Sequence, residues 1–357
     1  MADLLALTAD LVAIPSISRD EAAITDMLRA ELEQVSELEL AQVGCNLVAR
    51  THFGHPTRLI IAGHTDTVPI NENGTPKIEG DTLWGCGASD MKSGLAVMLE
   101  LARTVREPSV DVTYVFYEAE EIDTIHNGLG RLFRERPDLL EGDVALLGEP
   151  TDGAIEAGCQ GTMRAEVVLA GARAHTARPW MGRNAIQRLG PVLTRLADYR
   201  ERRPVIDGCE YREAVQAVLV EGGVAGNVVP DRARLVVNHR FAPDRSAADA
   251  EATLRDLLFG EGSEEGDSFA IIDCAPAAAP SLAHPLLRAL IERNGLEVRA
   301  KLGWTDVARF AEHGIPAANF GPGDATLAHT RDERVTRAPI EATFAALRDL
   351  LTADPPS

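Results

Sequence analysis

Apolar positions along this 357-residue chain follow two periods. Leu4, Leu7, Leu11 and Ile14 recur at helical spacing, which predicts a core-facing helix near the start. Ser18 followed by Glu21 has the form of a capping box and predicts a helix over residues 19–34. Ser93–Val105 sets Ala, Leu, Met and Glu in amphipathic order and predicts another. Between and after these lie short apolar or β-branched runs at Asn46–Thr51, Leu59–Ala62, Asp111–Tyr117 and Asp143–Leu147. Strands alternating with helices imply a layered α/β sheet.

The pattern changes after Gly161. Thr162–Ala170 alternates, Asn184–Tyr199 is helix-like, and strands are predicted near Val215–Val220 and Arg234–Phe241. A helix at Ala247–Leu258 runs into the acidic stretch GEGSEEGDS. This mixture predicts a small α+β domain. From Pro276 the helical pattern resumes with Pro285–Asn294, and α/β character continues to the end. The expected architecture is one α/β domain, residues 1–160 and 276–357, interrupted by an inserted α+β domain at 161–275.

Composition narrows the function classes. The formal charge is −20, which argues against a nucleic-acid binder and against an anionic membrane surface. No run of about 18 apolar residues is present, so no membrane span is expected. Five cysteines, an odd number with no C-x-x-C, make a disulfide framework improbable and point to a cytoplasmic setting. The basic residues are 32 Arg and three Lys, so arginine is the default cation and any single Arg is weak evidence for an anion site.

Candidate chemistry sits at the ends of the apolar runs. Leu59–Gly63 ends in His64-Thr65-Asp66, Val110–Tyr117 in Glu118-Ala119-Glu120-Glu121, and Val144–Leu147 in Gly148-Glu149-Pro150. Open α/β sheets bind ligands beyond the carboxyl ends of their strands. Asp90 joins from the Gly-rich turn GCGASDMKSG, and His329 comes late, in GDATLAHTRDE. Two imidazoles and three carboxylates suit Zn²⁺ or a related divalent ion. With one carboxylate bridging, they suffice for two metals about 3.5–4 Å apart. Taken singly, a strand-end His is more often structural and a Glu-Glu pair is usually solvated. The order and the apolar strands feeding it give the set its weight.

The chain resembles the M20-type di-zinc metallopeptidase and amidohydrolase family. The resemblance rests on His64-x-Asp66, Gly87-Ala-Ser-Asp90-Met-Lys-Ser-Gly94, Glu120-Glu121, Gly148-Glu149-Pro150 and His329. It extends through RAHTARPWMGRNAI, GGVAGNVVPD, NHRFAPDRS and GWTDVARF to nearly the whole chain. It implies a layered catalytic domain, its mixed sheet flanked by helices, with a smaller inserted dimerisation (lid) domain. It also implies two Zn²⁺ per chain, with Co²⁺ or Mn²⁺ as substitutes. His64 and Glu149 would complete one metal site, Glu121 and His329 the other, and Asp90 would bridge them, with a cis peptide after it. Asp66 would orient His64. Glu120 would be the general base that activates a bridging water and returns the proton to the leaving amine. His175, acting across a homodimer, would stabilise the oxyanion.

The implied substrate is a small acyl amino acid, N-succinyl-LL-2,6-diaminopimelate, hydrolysed to succinate and LL-2,6-diaminopimelate in lysine and diaminopimelate biosynthesis. Arg240, Arg178, Arg309 and Asn227 are the implied partners of its carboxylates. The runner-up is a deacylase or peptidase for another N-acyl amino acid, such as acetylornithine, a folate-type glutamate amide or a dipeptide. The chain departs from the family at Cys86, where arginine is usual; a small buried thiol fits that position better than a metal ligand. No G-x-S-x-G, H-E-x-x-H or G-x-x-x-x-G-K-[ST] motif supports a serine hydrolase, a zincin or a nucleotide enzyme.

Overall fold

A computed structural model describes residues 3–260 and 262–355. The described chain divides into two compact units. Gly158–Ala279 with Ala300–Ala308 forms one, and the other holds the residues up to Ala157, Pro280–Arg299 and those from Arg309 on. The segment Ala300–Ala308 thus groups with the inserted unit, although the sequence pattern placed it in the outer one.

The outer unit is built on a mixed sheet whose strands run in the order Glu39–Val43, Asn46–Arg50, Asp111–Tyr117, Arg58–His64, Val144–Leu147, Ala317–Asn319, Ile155–Ala157 and Val298–Ala300. The four central strands, from Asp111–Tyr117 to Ala317–Asn319, are mutually parallel. Asn46–Arg50 and Ile155–Ala157 flank them antiparallel. Parallel strands end on one edge of a sheet, so His64, the residues after Tyr117, Glu149 and the loop after Asn319 emerge together. Every residue of Asp111–Tyr117 and Val144–Leu147 is buried, as expected of central strands covered on both faces.

The helix Ser93–Thr104 packs against this sheet and the helices Leu4–Val12 and Arg337–Thr352. It is buried continuously from Ser93 to Ala102, so it is a central helix rather than the amphipathic one its sequence suggested. At its start Gly94 is required. A Cβ there would sit 2.2 Å from the Gly148 carbonyl oxygen, beside the strand end that carries Glu149.

The predicted capping box at Ser18 does not form. The helix is Ala22–Leu32, and Glu21, its N-cap, makes no side-chain cap bond. Ser18 Oγ instead donates to Asp66 Oδ2 at 2.6 Å, and Glu21 Oε1 accepts the N–H groups of Arg19 and Ala119. A capping box does form where none was predicted, at Ser246 and Asp249 ahead of Ala247–Phe259.

The inserted unit is a four-stranded antiparallel sheet in the order Ala214–Gly222, Arg232–Phe241, Gly161–Ala170, Ser268–Ala275. Alternate residues Met163, Ala165, Val167 and Leu169 pack with Leu189 and Val192 of the helix Ala185–Ala197 and with Leu254 and Leu258 of Ala247–Phe259. All five cysteines are free. Among the described residues, no helix is long and apolar enough to cross a membrane.

His239 lies on the buried face of Arg232–Phe241, 1% exposed. Neither ring nitrogen meets a hydrogen-bond partner among the described residues. Burial, with Arg245 and Arg202 nearby, pushes it down to about 4. The unfolded chain ionises this group near 6.5. Stability is therefore fully present above that pH and lost as pH falls from 6.5 to about 4, because the unfolded state binds the proton first. His239→Gln removes this titration. The stability difference between wild type and variant, from denaturant unfolding, should shift against the wild type by about 3 kcal/mol between pH 7 and pH 4.

Candidate metal centre

The strand Arg58–His64 ends with a buried imidazole, because its last residue reaches the parallel edge just as the apolar run stops. His64 Nε2 lies 3.1 Å from Asp90 Oδ1. Its Nδ1 lies 3.0 Å from the backbone carbonyl of Asp66 and 3.5 Å from the Asp66 carboxylate. The carbonyl is thus the nearer acceptor orienting the ring. The Asp66 carboxylate is bound mostly elsewhere, accepting the N–H groups of Glu120 at 3.0 Å and Glu121 at 3.1 Å. It holds the backbone of the pair that follows the neighbouring strand.

That pair leaves the strand through Ala119, whose φ of 58° is left-handed and strained for a residue with a Cβ. His329 has the same conformation at φ 62°. Its Nε2 lies 2.9 Å from Glu121 Oε1 and 3.5 Å from Asp90 Oδ2. Asp90 stands in the turn Ala88–Lys92, which departs from helical geometry at Asp90 and Met91, and the Asp90–Met91 peptide is cis. Glu149 is 5% exposed, two residues beyond its strand.

Two donor groups result. His64, Asp90 and Glu149 bring one ligand atom each within 4.8 Å of one another, and so do Asp90, Glu121 and His329. Asp90 belongs to both. Glu120 joins His64 and Glu121 in a further group on the same edge. Each of the two groups sharing Asp90 offers an imidazole nitrogen and two carboxylates, a set that suits a borderline divalent cation such as Zn²⁺. Cys86, buried with its thiol toward the Val68 carbonyl, belongs to neither.

The electrostatics agree with that donor set. Burial works against a charged His64, yet Asp66, Asp90 and Glu149 lift its pKa well above the usual value. Hydrogen bonds to Asp90 and Glu121 hold His329 up at about 10. Burial would raise Asp90, but His329 and His64 bring it far below the carboxylate range. A field that grips two imidazolium protons this firmly is strongly negative, and divalent cations would satisfy it.

Sequence reasoning missed two supporting groups. Ser18 binds Asp66, and Glu333 accepts the N–H groups of Gly87, Ser89 and Asp90. Burial pushes Glu333 up to about 7, while those three donors pull it down. The only signal was its place four residues beyond His329 in HTRDERV.

Of the other predicted residues, Arg309 lies in the outer unit on the helix Val307–Glu312, with Nη2 3.5 Å from the Thr124 carbonyl. His175, Arg178, Asn227 and Arg240 lie in the inserted unit. There the segments of His175 and Asn227 are joined, since Thr176 N–H donates to the Asn227 carbonyl and Val229 N–H to that of Ala174. Arg178 follows on the same loop, its N–H donating to the His175 carbonyl. Arg240 is half-buried on the sheet face opposite the helices.

Comparison with known proteins extends the picture. A family model described as peptidase family M20/M25/M40 matches residues 60–353. A putative succinyl-diaminopimelate desuccinylase of Mycobacterium tuberculosis is 53% identical over 350 residues, covering 98% of both chains. The succinyl-diaminopimelate desuccinylase of Corynebacterium glutamicum is 43% identical, covering 99% of this chain and 97% of its own. Among solved structures, a Staphylococcus aureus tripeptidase superposes with a TM-score of 0.79 at 20% identity, over 98% of this chain and 97% of its own. A dinuclear metal-binding peptidase of the M20 family from Bacillus subtilis does so with a TM-score of 0.72 at 19% identity, over 97% and 96%.

Zn²⁺ at about 100 times its Kd should stabilise the protein by about 2.7 kcal/mol per site, read by calorimetry with metal counted per chain. Asp90→Ala should remove the effect at both sites, and His329→Ala at one.

Proposed function

Because the chain belongs to the peptidase family M20/M25/M40, we propose that it is a metal-dependent amidohydrolase that converts N-succinyl-LL-2,6-diaminopimelate and water to succinate and LL-2,6-diaminopimelate. The observation that carries the hydrolytic reading is Asp90 shared between two donor groups, with Glu120 beside them. Full-length similarity to two desuccinylases supports the substrate.

Two divalent cations, Zn²⁺ by donor chemistry with Co²⁺ or Mn²⁺ able to replace it, would be held by His64, Asp90 and Glu149 and by Asp90, Glu121 and His329, and would supply Lewis-acid polarisation and an acidified water. The remaining work falls to the chain. Glu120 takes a proton from water as the water oxygen adds to the succinyl carbonyl carbon. It returns that proton to the amine nitrogen as the carbon–nitrogen bond breaks. Asp66 fixes the peptide from which Glu120 projects, so the base is aimed by backbone contacts.

His175 is the proposed oxyanion donor, acting across a homodimer. Its Nδ1 accepts the Ala177 N–H at 3.0 Å, which leaves the proton of the neutral ring on Nε2. Arg240 is the proposed fork for a substrate carboxylate. No hydrogen bond or ion pair occupies its guanidinium among the described residues, whereas Arg164 on the neighbouring strand is bound to Asp273. Arg178 and Asn227, tied to the His175 loop, and Arg309 in the outer unit are further candidates for the acidic substrate. A cytoplasmic setting fits an enzyme with free thiols.

The test is hydrolysis by the Zn²⁺-loaded protein of a panel including succinyl-diaminopimelate, acetylornithine and dipeptides. Selective cleavage of the first is expected; cleavage of acetylornithine alone would sink the substrate assignment. Glu120→Ala should lower kcat by about 10²–10⁴ with metal content near wild type; loss of metal as well would make Glu120 a ligand. His175→Ala should lower kcat by about 10²–10³. Mixing His175→Ala with Glu120→Ala chains should restore activity at one site of each heterodimer, and no recovery would refute action across the dimer.

A further inference from the structure

Glu333 is a carboxylate beside the centre that takes no part in either donor group. It is 2% exposed. Its Oε1 accepts the N–H groups of Ser89 at 2.9 Å and Asp90 at 3.0 Å, and its Oε2 that of Gly87 at 3.0 Å. Its backbone carbonyl accepts the Gly85 N–H at 3.1 Å. One residue therefore satisfies four donors of the turn from which Asp90 projects. The turn needs its glycine: Gly87 has φ +81°, which aims its N–H inward with its neighbours. The Gly87, Ser89 and Asp90 N–H groups converge on one anion as in a nest, while the Ala88 N–H between them donates to the Gly85 carbonyl.

We propose that Glu333 is a positioning residue for the carboxylate shared by both donor groups, fixing the backbone of Asp90 and so setting both cation sites at once. This rests on the metal-dependent reading above. The chemistry calls for a carboxylate. Three N–H donors need acceptors on both oxygens, and glutamine would replace one oxygen with an NH₂ facing another donor. The cost falls on the position of Asp90, because the turn must shift to relieve that clash. A rival role exists on the same residue. Glu333 lies four residues beyond His329 and could merely anchor that histidine's segment. The two roles differ in which cation they affect.

The deciding measurement is cation affinity, by competition of Zn²⁺ against a chelating indicator. Wild type, Glu333→Gln and Glu333→Asp are compared, each also in a His329→Ala background that retains only the His64, Asp90 and Glu149 group. Melting of the cation-free proteins reads any general loss of structure. Both affinities should fall by about 10–100-fold in Glu333→Gln, and the remaining site in the His329→Ala background should fall equally. Glu333→Asp keeps the charge but shortens the reach; it should show a loss in the same two places, and it carries the test if the glutamine variant does not fold. Wild-type affinity in a folded variant would overturn the inference. So would a loss that vanishes in the His329→Ala background, since Glu333 would then act only through His329. A wild-type chain that binds no cation would overturn the metal-dependent reading itself.

Discussion

Repulsion between like charges is the constraint around which this centre is arranged. Asp90, Glu120, Glu121 and Glu149 converge on one sheet edge with only two imidazoles among them. At 4 Å and the effective dielectric of a protein surface, each such contact costs about 4 kcal/mol. The surrounding acids are handled differently from the central ones. Asp66, Glu333 and Glu21 are held by backbone N–H groups, which carry partial positive charge and cannot move away. That outer ring is satisfied internally and leaves the inner carboxylates for mobile cations. The histidines show the same field from the other side, both held toward their protonated forms.

How much of this was written in the sequence depends on the range of the interaction. The strand runs ending in His64, Glu118–Glu121 and Glu149 are local patterns, and the structure brings their ends together because those strands are parallel neighbours. The inserted unit was legible as a change of period near Gly161. The short strands Ile155–Ala157, Val298–Ala300 and Ala317–Asn319 were not, since three residues carry no measurable period. The capping box at Ser18 was misread because Asp66, distant in sequence, claims the serine hydroxyl. Glu333 was illegible for the same reason: its three donors lie more than two hundred residues earlier. The left-handed φ of Ala119 and His329 has no local signature either, because alanine rarely adopts it and histidine, though enriched there, does so at only a small share of positions.

Arginine usage shows what structure adds to composition. With 32 arginines, no single one was informative. Most candidates are removed by their ion pairs. Arg188 is bidentate on Asp267, Arg202 holds Glu213 and Asp244, and Arg234 holds Glu166 and Glu221. Arg240 survives this filter, half-buried and with no carboxylate bound to it among the described residues. Burial lowers its pKa, so an incoming anion would be favoured over water as its partner.

The main segment of the inserted unit, Gly158–Ala279, begins and ends as a pair. Cys159 and Ala278 exchange both backbone hydrogen bonds, at 2.9 and 3.0 Å, so the chain enters and leaves that segment side by side. Loop closure costs entropy that grows with the logarithm of the length closed. A unit that folds first and seals this pair shortens the effective loop between the early strands and the late His329 segment. Once the pair is sealed, bringing Glu149 and His329 together closes a loop shorter by the residues between Cys159 and Ala278.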